Sequence, residues 1–195
     1  MHINVHYAIG VIIASISHFF LQINLFEFFM IIFCAFIIDF DIVFSKYAKD
    51  HNHRNLITHS IWPGIIILIL GIVIFNLLLI LCGIAYLIHI FFDTFDWGTN
   101  LFYTGKTIGL KLLISSEDMK NMEEILSKYK VAHSFFVFRY YNNKFCKILE
   151  ILVFILMILL NLFLASEFWY FFIIYFFFLS VHMYEYKKLK QIENS

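Results

Sequence analysis

Residues 61–95, IWPGIIILILGIVIFNLLLILCGIAYLIHIFFDTF, decide the fold. The run is too long for one membrane crossing of about 20 residues and short for two. Pro63 suits the first turn of a helix, and Asn76 sits mid-run, where a tight hairpin can form. The basic residues choose between one crossing and two. If the run crosses twice, the loops 45–60 and 96–147 and the tail 183–195 share one side, and these segments hold every Lys and Arg of the chain. The opposite side then keeps only short turns near Glu27, Asn76 and Glu167. Lys and Arg accumulate on the cytoplasmic side of membrane proteins, so two crossings are expected.

Working outward, residues 7–21 form a short apolar helix in which Gly10, Ala14 and Ser17 trace a close-packing face. Residues 22–27 are a polar break, and 28–44 form a second span that ends in acids. Residues 148–164 and 168–183 make a last hairpin, turning near Asn161 to Glu167, with little chemistry and a lipid-facing character. The expected fold is all-α: a polytopic membrane protein of about six transmembrane helices with a polar site at its cytoplasmic face. It is expected to be multi-pass in the cell (inner or plasma) membrane, with both termini cytoplasmic. The chain reads as one integral membrane domain over 1–195. Its parts are site-bearing spans over 1–105, a cytoplasmic loop over 106–147 and a C-terminal transmembrane hairpin over 148–183. In that loop, Ser115 and Asp118 fit a capping box, and Met119, Met122, Ile125, Leu126 and Tyr129 trace one apolar face. This helix lies on the membrane surface or forms a lid over the site.

Composition agrees. The chain is 62% hydrophobic and 21% aromatic, with one proline and a mean hydropathy of +0.85, whereas soluble domains are about half apolar. Net charge is zero, so no nucleic-acid partner is expected, and membrane lipids are the expected surroundings. Cys34, Cys82 and Cys146 form no C-x-x-C pair, and a disulfide framework is not expected. The first apolar stretch lacks a basic leader and a small-residue cleavage site, and it carries His2, His6 and His18, so no cleavable signal peptide is expected.

The remaining polar residues are the ones that need explaining. Ionisable groups at membrane depth are expensive and mark functional sites. His6 starts the first span, Asp39 and Asp41 end the second, His53 and His59 lie in the loop that follows, and His89 and Asp93 end the fourth. Lys and Arg alone give the topology, and it puts all seven at one face. His89 and Asp93 are four residues apart and share a helix face, a spacing that can chelate one ion. Asp39 and Asp41, two apart, point away from each other on a regular helix. Both bind only if the helix ends or unwinds there; otherwise one supports a ligand from behind. Thr58 or Ser60 can cap the next helix and hold His59 at the interface. Arg54 can pair with Asp39 or Asp41. His2, His18, His51, His133 and His182 read as interfacial residues without a role in the site.

These motifs together resemble the YdjM-like family, the LexA-binding, inner-membrane metal-dependent hydrolases. The matching residues are His6-Tyr7-Ala8-Ile9-Gly10, Asp39-Phe40-Asp41, His53-Arg54 with Thr58-His59-Ser60, and Tyr86-Leu87-Ile88-His89 with Asp93 and Gly98. The resemblance covers roughly 1–105. The chain departs from the pattern in three places. No proline precedes Asp39, the gap between His-Arg and Thr-His is one residue longer with Asn55 in place of glycine, and the Thr-Pro after the last Asp is missing. The ligand order is similar to that of zinc-dependent phospholipase C enzymes, which implies phosphoester hydrolysis.

On this reading the chain is a membrane-bound metal-dependent hydrolase acting on a phosphoester, a small molecule or a lipid-like substrate at the cytoplasmic face. One or two divalent metal ions, zinc first among the candidates, are expected on His59, His89, Asp93 and Asp39 or Asp41. His6 is a further ligand, and His53 is a ligand from the loop. The non-ligating one of Asp39 and Asp41 serves as general base, and Arg54 grips a phosphate or carboxylate. The chain has neither H-E-x-x-H nor G-x-S-x-G, so zincin and serine-hydrolase chemistry are not expected. Two other classes stay open: a divalent-metal transporter or binding protein, and a non-catalytic membrane scaffold. The scaffold predicts that the acids and histidines are dispersed in space.

Overall fold

The computed structural model describes residues 2–49 and 52–195. Among them there is no strand, and the one β-bridge pairs Thr99 with Ile108. The chain begins with α1 (Ile3–Leu21) and α2 (Leu25–Phe36), the latter continuing as a 3-10 helix over Ile37–Tyr47. Then come α3 (Ile61–Val73) and α4 (Leu77–Asp93). Three shorter helices follow, α5 (Ser116–Lys120), α6 (Met122–Ser127) and α7 (Ala132–Asn142), and the chain ends with α8 (Lys144–Leu164) and α9 (Phe171–Asn194).

The long helices form three hairpins, and the sequence supplies each turn. Asn24 opens α2 with a reciprocal capping box, its side chain accepting from Glu27 N at 3.1 Å while Glu27 Oε2 accepts from Asn24 N at 2.8 Å. Asn76 opens α4 by accepting from Leu79 N at 3.0 Å, and the preceding Phe75 takes the left-handed conformation (φ 53°) that reverses the chain. The break expected at Asn76 is therefore present, and so is the Ser115–Asp118 capping box of α5.

Among the described residues, three helices are long and apolar enough to cross a membrane: Ile3–Leu21, Leu25–Tyr47 and Lys144–Leu164. α3 and α4 are shorter, with 13 and 17 residues. At 1.5 Å per residue these reach about 20 and 25 Å, less than the roughly 30 Å of a hydrocarbon core. Many large apolar side chains face outward, among them Ile69 on α3, Ile151 and Leu159 on α8, and Phe177 on α9. Such a surface needs an apolar cover.

α1 is the centre of the core, packed on α2, α8, α9 and α4. Its apolar positions Val5, Ala8, Val11 and Ala14 are buried together with Phe28, Ile31 and Ile32 of α2. Gly10 sets the α1–α2 distance. A Cβ there would lie 2.8 Å from Ile32 Cα and 2.9 Å from Ala35 Cβ. Gly10→Val should therefore push the helices apart and cost about 1–3 kcal/mol, the usual penalty for overpacking. Detergent-resistant thermal unfolding checks it, and an unchanged midpoint would contradict this packing.

Hydrogen bonds fix the directions of the outer helices. Asn4 bonds Glu150 at 2.6 Å and Asn161 bonds Ser15 at 3.2 Å, the same sequence offset twice, so α8 runs parallel to α1. Tyr7 donates to the Phe171 carbonyl at 2.9 Å, and Asn4 meets the Tyr175 hydroxyl at 3.4 Å, so α9 runs antiparallel. That register carries the polar C-terminal part of α9 back to the His2 and His6 end of α1. The amphipathic segment after Ser115 is not one helix but two, broken at Asn121.

Candidate metal centre

Every predicted site residue lies at one end of the bundle. Asp39 and Asp41 sit where α2 stops being α-helical. The 3-10 helix turns 120° per residue instead of 100°, so the two acids are less opposed than on an α-helix. They reach different partners. Asp39 joins His6, His89 and Asp93, whose ligand atoms all lie within 4.8 Å of one another, and Asp41 joins His53 and His59 in the same way.

His59 is placed by backbone anchors on both sides. Tyr86 of α4 donates to the Thr58 carbonyl, Thr99 Oγ1 donates to the His59 carbonyl at 2.8 Å, and Ser60 accepts from Trp62 N at 3.4 Å to open α3. Its ring is held from both edges: Nδ1 meets Asp41 Oδ2 at 2.8 Å, and Nε2 meets Asp93 Oδ2 at 2.9 Å with Asp39 Oδ1 at 3.9 Å. Burial would lower the His59 pKa, but the Asp41 and Asp93 carboxylates outweigh it and hold the ring at about 9. His53 Nδ1 meets the other Asp41 oxygen at 2.9 Å, and Thr58 donates to Asp41 at 2.6 Å. Burial lowers the His53 pKa despite that carboxylate.

His89 gives the clearest sign of a missing partner. Its Nδ1 lies 2.7 Å from the Ala35 carbonyl and so carries a ring proton, and in the neutral ring Nε2 is then a lone pair. That Nε2 is buried and has no hydrogen-bond partner, yet it faces Asp93 Oδ2 at 3.5 Å and Asp39 Oδ1 at 3.7 Å. A donated Nδ1–H that fixes ring and tautomer is the usual support of a metal-bound histidine. His6 Nε2 adds a further nitrogen 3.1 Å from Asp93 Oδ1, with its ring stacked on His89 at 3.7 Å. Two ligands on one tetrahedral ion at 2.0–2.1 Å are about 3.4 Å apart. The observed spacings between 2.9 and 3.9 Å bracket that value. His6, Asp39, His89 and Asp93 therefore fit a divalent ion, with His59 Nε2 beside them as a further nitrogen donor. Asp41 fits the place behind His59, aligning its ring.

Arg54 departs from expectation. It pairs with neither Asp39 nor Asp41. Its guanidinium forks onto Asp96 at 2.7 and 3.0 Å, reaches Asp93 Oδ1 at 3.3 Å, and donates to the Asp93 and Gly98 carbonyls at 3.2 and 3.3 Å. Burial opposes its charge, and the Asp93 and Asp96 carboxylates maintain it. Its terminal nitrogens are occupied, so Arg54 acts as a strut between the 53–55 turn and the end of α4, in place of the expected grip on a substrate anion. Arg54 in turn holds the Asp96 pKa below the carboxylate range against the effect of burial.

A cavity of about 320 Å³ opens beside the cluster, bordered by Asp39, His53, Arg54 and Asp96. Its far wall comes from α7 and α9, through His133, Phe136, Tyr140, His182 and Glu185, with His2 beside them. None of the described residues of the two-helix segment after Ser115 lines it; α7 and α9 wall that side, where a lid was one of the two readings of the segment. The C-terminal hairpin is also less inert than its apolar sequence suggests. Glu150 of α8 joins Asn4 and Tyr140, and α9 brings in His182 and Glu185. Sequence reading missed Asp96, Glu150 and this histidine wall. The one usable signal was Glu150, an acid inside an apolar run. Of the histidines read as interfacial, His18 does sit at the opposite end, bonded to Ile23 O and Glu167. His51 lies outside the described residues.

Comparison with protein-family models, with curated proteins and with solved structures gives no match to this chain. The resemblance to the YdjM-like hydrolases rests on the motif residues quoted above.

Proposed function

We propose that this protein is a membrane-embedded, metal-dependent hydrolase of phosphoester or lipid-like substrates, with six spans and its site at the cytoplasmic face. The observation that carries the proposal is the buried, unpartnered His89 Nε2 aimed at Asp39 and Asp93 beside His6 and His59. Asp39 and Asp93 face the same imidazole nitrogens of His59 and His89, and a divalent ion relieves the repulsion between carboxylates held so close. Zinc suits the imidazole-rich donor set. When bound, the ion would lower the pKa of a bound water toward 7 and polarise the scissile group. The chain's own residues would do the rest: Asp39, Asp93 and the histidines would hold the ion, Asp41 would align His59 from behind, and Arg54 would brace Asp93 through its 3.3 Å contact. The spans are polar mainly at one end, which supports an enzyme over a transporter. The clustering of acids and histidines is the opposite of the dispersal a scaffold predicts.

The test is a phosphoester screen on purified protein in detergent or nanodiscs. Hydrolysis is expected only with added divalent metal, and it should vanish with a chelator and in His89→Ala. Turnover indifferent to metal and to His89→Ala would reject the reading. Asp41→Asn should leave the ligands in place but misalign His59, and weaken metal binding about 10–100-fold, the usual loss for such supporting partners. Competition with a metal indicator measures it, and an unchanged affinity would remove Asp41 from the site.

A further inference from the structure

The cavity beside the cluster has a second polar wall that the metal centre does not use. His2, at the start of α1, has its ring sandwiched between Tyr140 at 3.7 Å and His182 at 4.4 Å, with interplanar angles of 23° and 15°. Three contacts hold this stack. Tyr140 donates to Glu150 at 3.1 Å, Asn4 binds the other Glu150 oxygen at 2.6 Å, and α9 delivers His182. Yet His2 Nδ1 and His182 Nε2 are both buried with no hydrogen-bond partner. Buried polar atoms are nearly always bonded, and each exception points to something missing. Both residues line the cavity whose other border is Asp39, His53 and Arg54. Ile42, Phe136, Val137 and Trp97 make the remaining wall mostly apolar.

The geometry points to His2 and His182 as a hydrogen-bonding pair that holds a phosphoryl group in this cavity, across from the metal cluster. The two rings are stacked and nearly parallel, and each brings one unpartnered nitrogen, enough to meet two oxygens of one group. Each nitrogen donates once it carries the ring proton. The nearby Glu185 already takes His133 at 3.0 Å, and it lies 4.0 Å from His182 Nδ1, the ring nitrogen opposite the unpartnered one. A tetrahedral phosphoryl group has oxygens enough to face both the histidine pair and the cluster at once, while the apolar wall takes the rest of the molecule. This inference rests on the proposed hydrolase reading, because it makes the cavity the substrate pocket of that site. The phosphoryl group can belong to a lipid headgroup or to a soluble ester.

The experiment uses the whole purified chain, loaded with zinc and assayed for metal, and titrates inorganic phosphate by calorimetry. His2→Leu and His182→Leu should each weaken phosphate binding about tenfold, the equivalent of one hydrogen bond to a charged group. Metal content should stay unchanged. His2→Asn and His182→Gln, which put an amide near the lost nitrogen, should recover most of the affinity, an outcome that a purely structural role would not give. Displacement of phosphate by short-chain phosphatidic acid but not by glycerol phosphate assigns the group to a lipid, and the reverse assigns it to a soluble ester; both support the pair. Unchanged phosphate affinity in the leucine variants, or no phosphate binding to wild type, overturns it. A wild type that takes up no zinc contradicts the metal reading instead, and the same variants titrated without metal still decide the histidine pair.

Discussion

Arg54→Met is expected to destabilise the protein by about 3–5 kcal/mol, the cost of removing one partner from a buried ion pair. The side chain of Arg54 is 7% exposed and that of Asp96 1%, so water cannot replace the lost guanidinium. Removal takes the forked contact from the Asp96 carboxylate, a donor from each of the Asp93 and Gly98 carbonyls, and one cation from Asp93. Arg54→Lys should recover only part, because one ammonium cannot fork onto Asp96 and reach both carbonyls. Arg54→Met combined with Asp96→Leu should recover more, since the buried carboxylate that lost its guanidinium is gone. Unfolding in detergent by heat or denaturant reads all three. A loss below about 1 kcal/mol, the range of a surface pair, would mean that the strut is screened by solvent.

His59→Ala is expected to weaken metal binding by more than about 100-fold, beyond the loss typical of supporting partners. His59 links the two halves of the site: Asp41 on one edge, Asp93 and Asp39 on the other. Its removal takes away a ligand and also leaves Asp41 with only His53 and Thr58. The contrast with Asp41→Asn is informative. The aspartate variant loses alignment and keeps the nitrogen, so its effect should be the smaller of the two. If the two variants were equally weak, Asp41 would be a ligand in its own right and the cluster would hold its second ion at Asp41, His53 and His59.

Much of this arrangement was legible in the sequence because helices impose short-range rules. His89 and Asp93 share a face by spacing alone, Ser115 and Asp118 announce a cap, and Asn76 marks the turn between α3 and α4. The problem with Asp39 and Asp41 was also visible, and the switch to a 3-10 helix at Ile37 is its solution. What the sequence hid is long-range register. The six-span reading already makes α9 antiparallel to α1, but nothing local says that His182 stacks on His2, or that Arg54 prefers Asp96 to the acids nearer in sequence. Those choices follow from how 53–60 is pinned to α4 and to the 98–101 segment by backbone bonds such as Asn100 N to Arg54 O at 3.3 Å.

The central claim is that His6, Asp39, His59, His89 and Asp93 bind a divalent metal ion. Metal analysis of purified wild type beside the His89→Ala, Asp93→Ala double variant tests it most directly, with helical content of both checked by circular dichroism. Wild type should hold one or two equivalents of metal, zinc foremost, and the folded double variant almost none. Equal metal content in the two proteins, or none in a wild type offered zinc, would contradict it.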